Sequence, residues 1–161
     1  MHRVGFLSLL FAVAGCDKNE TPAGGQPAGK PAAGSSLEKE KEMGEALAKE
    51  TIEAFDKMVA EVAKVLEGKA PEAEVLPKLQ AVYETWKPQM EALAARKAAL
   101  TAAPAKGAFN GYMGEHRGKA MARKDTTLTE AFKHYRLQTN SPGVVDFLTK
   151  KPLELFNLVH N

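Results

Sequence analysis

The segment Tyr112-Met113-Gly114-Glu115-His116-Arg117 holds the best local cluster of side chains that could do chemistry. The thioether of Met113 and the imidazole of His116 lie three residues apart, which on a helix puts them on one face. Joined by a second imidazole, from His134 or His160, that pair could ligate copper or hold a haem without covalent attachment. Glu115 and His116 are adjacent and would point about 100° apart on a helix, so they do not make a bidentate pair. The same residues have a plainer reading, with His116 a partly buried interhelical group and Met113 a flexible core filler. Elsewhere the chain has no Cys-x-x-Cys-His, no His-Glu-x-x-His, no phosphate-binding loop and no nucleophile elbow. No cofactor is therefore expected, metal or haem at Met113, His116 and His134 being the alternative, and catalysis is the least supported class of function.

The other chemical feature is a lone thiol. Cys16 is the only cysteine, so neither an intramolecular disulfide nor a cysteine-rich metal site can form. It follows a short positive stretch, Met1-His2-Arg3, and an uncharged apolar run from Val4 to Val13. Ten helical residues span roughly 15 Å, about half the hydrocarbon thickness of a bilayer, so the run reads as the apolar part of an export signal. Val13-Ala14-Gly15-Cys16 resembles the lipobox of bacterial lipoproteins, a resemblance that covers residues 1–16. It implies cleavage between Gly15 and Cys16, a diacylglycerol thioether on Cys16, and a mature chain anchored to a bilayer on its extracytoplasmic side. Small residues suit such a site, because the cleaved bond must enter a narrow protease in extended form. Asp17 resembles the signal that retains enteric-type lipoproteins at the inner membrane, a rule that is not uniform among bacteria; inner and outer membrane both stay open.

Removal of residues 1–15 leaves 146, a length suited to one domain. The whole chain has 22 Lys plus Arg against 20 Asp plus Glu, and Arg3 leaves with the signal. Such a balance gives nucleic-acid binding no support. Residues 16–36 comprise Cys16 and a stretch with four glycines, three prolines and no aliphatic side chain larger than alanine. That stretch cannot offset its ordering entropy by burial, and is expected to be a flexible tether with a typical span of roughly 25 Å.

Residues 37–161 read as an all-α domain, a small bundle of about four to six helices. Ser35 and Glu38 have capping-box spacing ahead of Met43, Leu47, Ile52, Phe55, Met58 and Val62, a helical stripe with one slip near Ala48 to Ile52. This first helix should end near Glu67, with Gly68 as its C-cap. A second is expected from Pro77, after a short turn over Pro71–Val75, carrying Leu79, Tyr83, Trp86, Met90 and Leu93. Pro88 should bend it or divide it in two. Gly107–Lys124 predicts a weaker helix, because Gly107, Gly111, Gly114 and Gly118 either lower its propensity or admit a close neighbour. Thr127 and Glu130 again have capping-box spacing, opening a helix through Tyr135, and Asn140-Ser141-Pro142-Gly143 reads as a turn. Val144–Leu148 could be a strand but has no strand-like partner, and Pro152 starts a short last helix.

Charge is uneven along the chain. Residues 106–136 carry a net +4, and residues 37–69 a net −3. The asymmetry could bind an acidic partner or approach anionic lipid, or it could be compensated within the molecule. Trp86 lies in register with Tyr83, Met90 and Leu93, which favours a core anchor over an exposed ligand platform. Together these observations favour a membrane-tethered, noncatalytic binding or envelope-associated module that meets an envelope protein or polymer. The alternative is a small metal- or haem-binding helical bundle.

Overall fold

The computed structural model describes residues 33–160, so the signal, the lipobox residues Val13, Ala14, Gly15 and Cys16, Asp17 and most of the expected tether lie outside the described residues. Four helices make an all-α domain: α1 (Ala33–Leu66), α2 (Glu72–Ala98), α3 (Ala103–Lys133) and α4 (Pro142–His160). A five-residue π-helical turn, His134–Gln138, closes α3, and no strand occurs among the described residues. Consecutive helices run antiparallel, so α1 lies parallel to α3 and α2 parallel to α4. The pairings Arg96 with Glu50 and Trp86 with Glu61 fix the α1/α2 direction, Gly44 against Ala105 and Arg123 with Asp56 fix α1/α3, and Glu72 with Gly143 and Tyr83 with Glu154 fix α2/α4. The parallel pair α1/α3 packs most extensively.

Small residues explain that preference. Gly44, Ala48, Thr51 and Ala105 are all buried, and the Thr51 hydroxyl donates to the Leu47 carbonyl at 2.8 Å. The apparent slip in the α1 stripe is thus a widened buried face, with small residues facing α3 while Phe55, Met58, Val59 and Val62 enter the common core. Phe55 meets Phe156 of α4 with ring centroids 4.3 Å apart. Trp86 is a core residue with a polar handle, its indole N–H donating to Glu61 at 2.8 Å.

Several boundaries differ from the sequence reading. Helix α1 begins four residues before Leu37, and the Ser35/Glu38 pair lies inside it. Gly68 is not the left-handed residue; Lys69 is, at φ 47°, as the chain turns to present the Ala70 carbonyl to the Tyr135 hydroxyl at 2.8 Å. Helix α2 starts at Glu72 and runs through Pro77 and Pro88. Both prolines are exposed, so water can take the Ala73 and Glu84 carbonyls that lose a donor. The Thr127/Glu130 spacing opens no helix, because α3 continues through it. Nearby threonines bond backward instead, Thr126 to the Ala122 carbonyl and Thr129 to the Asp125 carbonyl, as hydroxyls do inside a helix. Val144–Leu148 and Pro152 likewise belong to one helix, α4.

The turn before α4 shows how this end is held. Asn140 takes φ 48°, Pro142 occupies the first helical position, and the Glu72 carboxylate accepts from the N–H groups of Gly143 and Val144 at 3.1 and 3.4 Å. Glu72 from α2 therefore supplies a cap for α4, and its charge sits at the positive end of the α4 dipole. Glu72→Ala is expected to cost about 1 kcal/mol of stability, read as a lowered urea midpoint at unchanged slope. An unchanged midpoint would remove the capping role.

Candidate functional site

Met113 and His116 share helix α3 but not an environment. Met113 is 1% exposed, its thioether closed within the core. His116 stacks on Tyr112 at 3.9 Å with the rings 3° from parallel, and its Nδ1–H donates to the Tyr112 carbonyl at 3.0 Å. Its Nε2 is 3.8 Å from the Glu115 carboxylate, beyond hydrogen-bonding distance.

His134 stands in the π turn, eighteen residues further on. At 1.5 Å per residue it is roughly 25 Å along the same helical axis from His116, so the two imidazoles do not converge on one ion. Its Nδ1–H donates to the Gln138 amide oxygen at 2.8 Å, and its ring meets Tyr135 edge-on. His160 lies at the opposite end of the domain, in a recess with Lys97, Lys106, Phe109 and Asn110. Burial, and the nearby charges of Arg117 and Lys97, hold its pKa below the usual histidine value. Among the described residues no group of three His, Cys, Asp or Glu side chains could hold a metal ion.

One ion pair joins the basic segment to the acidic one. Arg123 of α3 makes a two-pronged pair with Asp56 of α1 at 2.6 and 3.2 Å, and Arg117 donates to Asn157. Lys119 pairs with Glu115 and Lys133 with Glu130. Lys97 lays its methylene stem along α2 and donates to the His160 carbonyl at 2.9 Å, closing the C-terminal turn of α4. Tyr83 donates to Glu154 at 2.6 Å; that bond and burial push its pKa up to about 12, so it stays a neutral donor.

The feature best shaped to receive something is a groove that single-residue motifs did not reveal. It lies between the C-terminal half of α3 and the middle of α4, with a volume of about 480 Å³. Leu128, Phe132 and Leu148 give it an apolar lining, Thr129 and Thr149 stand at its sides, and Lys124, Asp125 and Lys133 supply its charges. Both threonine hydroxyls are already committed to backbone carbonyls. The groove exists because α3 and α4 meet sparingly, whereas α1/α3 and α2/α4 pack closely. A sequence signal was present in the spacing of Lys124, Leu128 and Phe132, one turn apart on α3, but the facing Leu148 comes only from the tertiary arrangement. Compared with known protein families, with curated proteins and with solved structures, the chain has no match.

Proposed function

We propose that the protein is a bacterial lipoprotein whose helical domain is held to the extracytoplasmic face of a membrane through Cys16 and acts there as a noncatalytic binding module. The observation that carries this reading is Val13-Ala14-Gly15-Cys16 placed directly after a short apolar run, in a chain with no other cysteine. An exported thiol without a partner is accounted for by acylation. No helix among the described residues is long and apolar enough to cross a membrane, so a lipid on Cys16 would be the attachment this reading requires. One acyl chain binds a bilayer reversibly, whereas a lipidated cysteine with several chains holds firmly.

Binding is supported by what the domain presents, an apolar groove between α3 and α4. The tether would raise the local concentration of that groove near an envelope partner. Growing bacteria that make the chain with labelled fatty acid tests the anchor. The wild type is expected to carry label and partition with membranes, while Cys16→Ser incorporates none. Equal labelling of both, or none in the wild type, would defeat the reading.

A further inference from the structure

We infer that the α3/α4 groove binds a medium-chain anionic amphiphile, its acyl chain along Leu128, Phe132 and Leu148 and its carboxylate against a lysine ammonium at one end. This names a ligand class for the binding-module reading and rests on that reading; the anchor on Cys16 is tested separately. The lining determines the class. Partly exposed Phe132 lies beside a floor of Leu128 and Leu148, which are 4% and 3% exposed, and the two threonines that border the groove have spent their hydroxyls on backbone carbonyls. Little is left in the groove to orient a sugar or a polar peptide. The remaining polar groups that line it are Lys124, Asp125 and Lys133, which carry a net positive charge.

Geometry fits an acyl chain with one acidic head. Lys124 and Lys133 are nine residues apart on α3, roughly 13 Å along its axis. The Lys124 side chain is only 14% exposed, so its methylenes are packed down while its ammonium reaches Asp125 at 3.0 Å. Asp125 is 72% exposed and can turn to water when a ligand carboxylate replaces it. Lys133 is paired with the exposed Glu130, which does not line the groove. A volume of about 480 Å³ lies within the range of small-ligand sites.

The test titrates residues 16–161 carrying Cys16→Ser, which lack both the apolar signal and the lipid, with octanoate, decanoate and dodecanoate by calorimetry, and follows the Leu128 and Leu148 methyl signals. One saturable site is expected, with affinity rising about fourfold for each added methylene until the groove is filled. Thr149→Trp, on an exposed position at the rim, should abolish binding with the fold intact. Lys124→Gln or Lys133→Gln should weaken dodecanoate about tenfold while leaving dodecanol unchanged. Absence of saturable binding, or equal binding by Thr149→Trp, would overturn the proposal. So would a concentration-dependent dimer that shifts the same methyl signals without ligand, or an acidic amphipathic peptide that occupies the groove more tightly than dodecanoate.

Discussion

Gly44→Ala is expected to lower the stability of the domain by about 3 kcal/mol, roughly 10 °C in Tm for a chain of this size, although it adds one methyl group. A Cβ at position 44 would lie 2.0 Å from the Ala105 carbonyl oxygen, 2.8 Å from its carbon and 3.0 Å from the Ala105 Cα. All three atoms are backbone, so no rotamer change relieves the overlap, and α1 must move away from α3. That movement would loosen the most extensive helix pair of the domain along Ala48, Thr51 and Phe55. Gly68→Ala is the matched control, because a Cβ there meets nothing within 4 Å. Thermal unfolding of the two variants checks the account, and a Gly44→Ala protein as stable as the wild type would show that α1 and α3 do not approach so closely.

The second large effect has the opposite sign. Gly107, Gly111, Gly114 and Gly118 lie on exposed positions of α3, and a Cβ at any of them meets nothing within 4 Å. Each therefore carries the backbone entropy of glycine with no packing return, at about 0.5–1 kcal/mol relative to alanine inside a helix. Replacing all four by alanine should raise stability by about 2–4 kcal/mol, seen as a higher urea midpoint with the same slope. Destabilisation instead would mean that this face is covered in the native protein by a close neighbour.

These two predictions also mark where the sequence was legible. Glycines in a weak helical segment invited two readings, close packing or low propensity, and the four in α3 prove to be of the second kind. The close-packing glycine, Gly44, drew no attention because it sits among Glu42, Met43 and Glu45, in a stretch whose charges look solvated. Helical class and most core positions followed from periodicity: Leu79, Tyr83, Trp86, Met90 and Leu93 are all buried in α2. Helix ends were harder to read. Capping boxes and prolines are local signals, and at Thr127, Pro77 and Pro152 the packing of one long helix across the bundle outweighed them. The cap that does operate on α4, Glu72, comes from 71 residues away and has no local signature.

The candidate site divides in the same way. Met113 and His116 were visible as ligand types at helical spacing, but type and spacing could not show that Met113 is closed in the core. Nor could they show that His134 stands on the far end of the same continuous helix. The α3/α4 groove depends on how sparingly two helices meet, which periodicity on either one does not report.

The anchor on Cys16 is the central claim, and the intact mass of the chain purified from membranes of a bacterium that produces it tests that claim most directly. The account predicts a polypeptide that begins at Cys16, lacks residues 1–15 and carries acyl mass localised to the N-terminal cysteine. A chain that still begins at Met1, or one with an unmodified Cys16 thiol, would contradict it.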